Sequence, residues 1–128
     1  MAYITWTDEF AVDNELINTQ HKTLIDIVNS LHDAVTHGED SDILDSSLSG
    51  LIDYTHFHFK AEEDVLVENG SADLELQKKE HDRMARQVMT LNEKYHQGSA
   101  TMIFEILDLL HDWLTNHVKR LDKRSFSS

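Results

Sequence analysis

The sequence predicts an all-α protein: an antiparallel up-down-up-down four-helix bundle preceded by an irregular N-terminal arm. Three observations predict it. Apolar residues recur at helical spacing through four long segments. Gly38, Gly70 and Gly98 separate those segments, each where a helix C-terminus needs a residue tolerant of left-handed backbone. The connections are short, which favours antiparallel neighbours. At 128 residues the chain has the size of one domain, 1–128, with the arm over 1–18 and the bundle over 19–124.

The arm shows no sustained period and mixes Trp6 and Phe10 with Asp8, Asp13 and Asn14, so its aromatics are expected to pack on the bundle. Helix one, 19–37, carries His21, Leu24, Val28, Leu31 and Val35 on one stripe. Helix two, 41–67, carries Leu44, Leu48, Leu51, Thr55, His58, Glu62 and Leu66, with Gly50 inside the pattern. Helix three, 73–97, presents Leu74, Gln77, His81, Met84, Val88, Leu91 and Tyr95. Helix four, 100–120, presents Ile103, Ile106, Leu110, Trp113, Leu114 and His117, with Leu121 just beyond. Proline is absent, so glycine alone supplies the stops.

Composition excludes several function classes. The net charge of −13, unrelieved by any basic cluster, makes nucleic acid and anionic membrane surfaces poor partners. With no cysteine there are no disulfides, thiolate metal sites or Cys nucleophiles. No signal-peptide core or membrane-length apolar run is present, so a soluble cytoplasmic protein is expected. Protein partners leave no mark in the sequence. Nine histidines without a cysteine point to imidazole–carboxylate metal chemistry.

Polar residues embedded in the apolar stripes are the anomaly, because a buried imidazole or carboxylate without a partner costs several kcal/mol. The embedded set is His21, His58, Glu62, Gln77, His81 and His117. His58 and Glu62 lie four apart on one helix face. In an up-down-up-down bundle, His21 and Gln77–His81 open their helices while His58–Glu62 and His117 close theirs. All six therefore level out at one end, which scattered core histidines would not do. His32 shares the face of His21 but lies about 16 Å along it at 1.5 Å per residue, a rim position. His56 points away from His58, His37 and His96 sit beside glycine stops, and His111 is off the stripe. Glu93-Lys94-Tyr95-His96 matches the Glu-x-x-His of ferritin-like bundles, but it occurs once and at the opposite end.

Gln20-His21-Lys22, His58-Phe59-x-x-Glu62-Glu63, His81 and Trp113-x-x-x-His117-x-x-x-x-Asp122, with the early Thr5-Trp6, resemble the hemerythrin family, specifically its small bacterial members. The resemblance covers nearly the whole chain. It implies a bundle holding two non-haem iron ions (Fe2+/Fe3+) joined by an oxo or hydroxo bridge. His21 and His58 would ligate one iron, His81 and His117 the other, and Glu62 and Asp122 would bridge them. Asp122 comes from the resemblance alone. On an ideal α-helix it lies about 140° round from His117, so the helix is expected to loosen or end there. Where the family pattern opens the third helix with His-x-x-x-His, this chain reads Gln77-Lys78-Lys79-Glu80-His81. Gln77 offers an amide oxygen or leaves the place to water; in either case two irons are expected, the second more labile.

The function implied is dioxygen binding for storage, delivery or sensing, in a pocket whose expected lining is Leu24, Leu114, Val118 and Leu121. No general acid or nucleophile is evident among these residues, so a dedicated enzyme is not expected. Two rivals stand beside it: a redox-reactive di-iron centre processing peroxide or nitric oxide, favoured by Gln77, and a degenerate bundle retained for interactions.

Overall fold

The computed structural model describes residues 3–126. Helix α1 spans Glu15–Thr36, α2 Ser41–Glu68 and α3 Leu74–His96. Helix α4 runs from Met102 to Trp113 and continues as a π-helix, Leu114–Asp122, and a final α turn, Lys123–Ser125. Packing of α1 on α2, α2 on α3, α3 on α4 and α4 on α1 closes the ring of the expected four-helix bundle. No helix among the described residues is long and apolar enough to cross a membrane.

The helix ends follow from local chemistry. Asn14 Oδ1 accepts from the Ile17 amide at 3.1 Å and Asp40 Oδ1 from the Ile43 amide at 3.2 Å, satisfying donors that the first turns of α1 and α2 leave unpaired. Each of the three interhelix glycines has positive φ, from 61° to 108°. At Gly38 the Glu39 amide returns to the Ala34 carbonyl (3.1 Å) and the Gly38 amide to that of Val35 (3.2 Å), the paired closure that a left-handed residue permits. The same pair of bonds closes α2 at Gly70 and α3 at Gly98.

Two boundaries differ from expectation by more than two residues. Helix α1 starts four residues before position 19, because Asn14 caps it and Ile17 extends the buried stripe by one turn. Helix α4 does not stop at 120 but runs to Ser125, and over nine residues it is π rather than α.

The main core is built from Leu24, Val28 and Leu31 of α1, Leu48 and Leu51 of α2, Met84 and Val88 of α3, Ile103, Ile106, Leu107, Leu110 and Trp113 of α4, and Leu114 at the start of its π continuation. Ile4 and Phe10 of the segment before α1 join it, and the half-buried Trp6 stacks on Phe10 at 5.7 Å. Two asparagines of α1 hold this segment by imitating a peptide group. Asn29 bonds both the amide and the carbonyl of Ile4, and Asn18 both those of Val12, all at 2.8 Å. A second apolar cluster, Val12, Ile17, Leu66 and Phe126, lies apart from the main core. Ile17 is one turn outside His21, Leu66 one turn outside Glu62, and Phe126 one turn beyond Asp122. The levelled polar residues are thus sealed between two apolar layers.

Candidate metal centre

His21, His58, Glu62, Gln77, His81, His117 and Asp122 converge at one end of the bundle, and each is at most 4% exposed. The two carboxylates organise the cluster. Glu62 Oε2 lies 3.3 Å from His21 Nε2, while its Oε1 lies 3.3 Å from His58 Nε2 and 3.2 Å from His81 Nε2. Asp122 Oδ2 lies 3.1 Å from His21 Nε2 and its Oδ1 3.1 Å from His117 Nε2. Each carboxylate thus offers different oxygens to imidazoles from different helices. Two overlapping donor groups result, His21–His58–Glu62–Asp122 and Glu62–His81–His117, with donor atoms in each within 4.8 Å of one another.

The π-helix explains Asp122. Its hydrogen bonds reach five residues back, as from the Lys123 amide to the Val118 carbonyl. The wider turn brings a residue at i+5 back towards the face of residue i. Buried residues accordingly recur every fourth position, at Trp113–Leu114, His117–Val118 and Leu121–Asp122. The expected loosening of the helix takes the form of a changed helical period, without a break in the chain.

The imidazoles are held from behind. His58 Nδ1 donates to Gln20 Oε1 and His81 Nδ1 to Glu63 Oε2, each at 2.8 Å. A proton kept on Nδ1 leaves Nε2 free to face the centre. Ring planes are fixed by stacking: His81 on Phe59 at 4.1 Å and 2°, His117 on Trp113 at 3.8 Å and 14°. Neither backing role was legible from the stripes, because Gln20 and Glu63 each sit next to a stripe residue and carry no periodic signal of their own. Their presence in the family-like pattern was the available clue.

Burial lowers the pKa of His21, but hydrogen bonds to Asp122 and Glu62 outweigh it and raise the pKa to about 9. His81 is raised for the same reason, burial being outweighed by Glu62 and then Glu63. Burial alone would raise Glu62; the imidazoles of His58, His21 and His81 hold it well below the usual carboxylate range. Without an ion, protons on imidazoles supply the positive charge that the buried carboxylates require.

The donors fit a metal on their own chemistry. Glu62 Oε1, His81 Nε2 and Asp122 Oδ2 are buried and make no well-aligned hydrogen bond, although imidazole nitrogens and carboxylate oxygens approach them to 3.1–3.3 Å. Nitrogen and oxygen ligands without sulfur suit iron, among other divalent ions. Gln77 joins the cluster with its amide between Asp122 and His117. Leu24, Leu114 and Val118 belong to the main apolar core; Leu121 is buried but outside both apolar clusters. His32 is half-buried at the rim, stacked on Tyr3, and His56, His37 and His96 are exposed. Glu93 and His96 are exposed as well, and belong to no candidate donor group among the described residues.

Residues 12–127 match the model of the hemerythrin HHE cation binding domain. A bacteriohemerythrin of Methylococcus capsulatus is 40% identical over 124 residues, 96% of this chain and 94% of that protein. A bacteriohemerythrin of Pseudomonas aeruginosa is 30% identical over 122 residues, covering 95% and 78% of the two chains. The crystal structure of a wild-type hemerythrin superposes with a TM-score of 0.90 at 36% identity, over 98% of this chain and 96% of that one.

Proposed function

The chain belongs to the hemerythrin family, and from that premise we propose that it binds dioxygen at a pair of non-haem irons held at the buried end of its bundle. In this reading His21 and His58 hold one ion, His81 and His117 with Gln77 hold the other, and Glu62 and Asp122 span the two. One observation carries it: Glu62 and Asp122 each direct separate oxygens at imidazoles of different helices, the arrangement a bridging carboxylate needs.

When bound, two ferrous ions supply the pair of electrons on which reversible dioxygen binding draws. The chain's own residues do the rest. Gln20 and Glu63 keep a proton on the outer nitrogens of His58 and His81, so the inner nitrogens stay available. Leu24, Leu114, Val118 and Leu121 form apolar walls that admit a small neutral molecule and exclude bulk water. The cluster of Val12, Ile17, Leu66 and Phe126 closes the outer end. No positioned nucleophile or general acid is needed, so the protein is a carrier rather than a dedicated enzyme.

The test is an optical spectrum. Protein loaded anaerobically with ferrous iron should develop a visible charge-transfer band on admission of oxygen and lose it on deoxygenation, while H58A shows neither. Irreversible oxidation with turnover of hydrogen peroxide would favour the redox-reactive alternative. Failure to take up iron would defeat both.

A further inference from the structure

The side-chain amide of Gln77 is wholly buried and makes three polar contacts. Its Nε2 lies 2.8 Å from Asp122 Oδ1 and 3.1 Å from Ser125 Oγ, and its Oε1 lies 3.1 Å from His117 Nε2. The two ends of an amide have nearly the same shape, so only the neighbours' donor and acceptor capacities decide which end faces where.

Those capacities can be followed inward from the surface. Arg124 donates from Nη2 to Asp73 Oδ1 at 2.9 Å and from Nε to Asp73 Oδ2 at 3.1 Å. This paired contact keeps Asp73 ionised and therefore an acceptor only, and its carboxyl lies below the usual range chiefly because of Arg124. Ser125 Oγ lies 2.9 Å from Asp73 Oδ2, so its single proton is donated there. Ser125 can then only accept from Gln77, which puts the amide nitrogen on that side. Asp122, also a carboxylate, requires the same. The oxygen of Gln77 must face His117, whose Nε2–H it accepts in the ion-free protein.

The geometry points to Arg124, Asp73 and Ser125 as positioning residues that turn Gln77 so that its amide oxygen enters the metal centre as a ligand to the ion at His81 and His117. The inference rests on the two-ion reading given above. It makes Gln77 a neutral oxygen donor in place of a neutral imidazole, with the charge of the ligand set unchanged. One of its amide hydrogens meanwhile holds Asp122 in place and the other bonds Ser125.

Three variants separate positioning from bulk structure. S125A removes the acceptor, whereas S125T keeps a hydroxyl. D73N supplies an amide that donates to Ser125, freeing the serine proton and leaving Asp122 as the one remaining constraint on which end of Gln77 faces outward. The release of ferrous iron to a chelator under anaerobic conditions counts the ions and their rates. The Gln77 side-chain N–H resonances of ion-free protein report the orientation without metal. Loss of such a supporting contact should speed release of the second ion about 10- to 100-fold. We expect this in S125A and D73N, with the first ion unaffected, displaced Gln77 resonances, and recovery in S125T. Unchanged resonances and release rates within twofold of the parent protein in both S125A and D73N would overturn the inference. So would a parent protein that holds one ion per chain. A parent protein that holds none would remove the proposed function and this inference with it.

Discussion

Metal uptake by this protein should be opposed by a proton on His21, and the size of that opposition follows from the structure. His21 Nε2 lies within 3.3 Å of both Glu62 and Asp122, and these carboxylates raise its pKa to about 9. At pH 7 the ion-free protein therefore carries a proton on the nitrogen that the ion would take in the proposed site. Each pH unit below the pKa weakens binding about tenfold, or about 1.4 kcal/mol. Affinity at pH 7 should be about 100-fold below its value near pH 9, with about one proton released from His21 per chain. The same proton has the opposite effect on the empty fold. A folded-state pKa raised from 6.5 to about 9 gives stability that is complete below pH 6.5 and lost as pH rises through 9. The ion-free protein should lose about 3 kcal/mol over that window, judged by about 1.4 kcal/mol per unit. Competition titrations with ferrous iron and a chelator from pH 6.5 to 8.5, with released protons read by an indicator dye, measure the first effect. Urea unfolding across the same range, extended to pH 9.5, measures the second. Affinity independent of pH, with no proton released, would refute the reasoning.

Other expectations can be checked with single substitutions. Q77H restores an imidazole and should slow release of the second ion about tenfold, since ligand and supporting changes alter affinity on that scale; faster release would contradict the proposed ligand set. E62A removes a carboxylate shared by both donor groups, so neither ion should bind tightly. The ion-free fold should also lose about 3–5 kcal/mol as His21, His58 and His81 are left without it, measurable by urea unfolding. L24A opens a cavity beside the centre and should cost about 2–5 kcal/mol, with faster oxidation of the ferrous protein as water enters. N29A frees the Ile4 backbone, and a loss of about 1–2 kcal/mol with increased proteolysis before residue 14 is expected.

The sequence by itself determined the bundle and the level of its polar residues. Helical spacing and three glycine stops are local properties, and they survive folding because every interhelix glycine does take positive φ. Burial of His21, His58, Glu62, Gln77, His81 and His117 was legible for the same reason, since a stripe position is a core position whatever residue occupies it. Asp122 was legible only through likeness to a family, because an α-helical wheel turns it away from His117. The π-helix that brings it back is a property of the packed helix, in which six residues between Trp113 and Asp122 are buried at a period of four. The backing of His58 by Gln20 and of His81 by Glu63, the asparagine clamps at Ile4 and Val12, and the outer apolar seal likewise arise between elements distant in sequence. The orientation of Gln77 is the extreme case. Which end of that amide faces the centre is set by two acceptors, Asp122 and Ser125, the latter an acceptor only because its one proton is committed to Asp73, which Arg124 keeps charged. Periodicity can place a residue on a face, but only the donors and acceptors assembled around it decide which atom it presents.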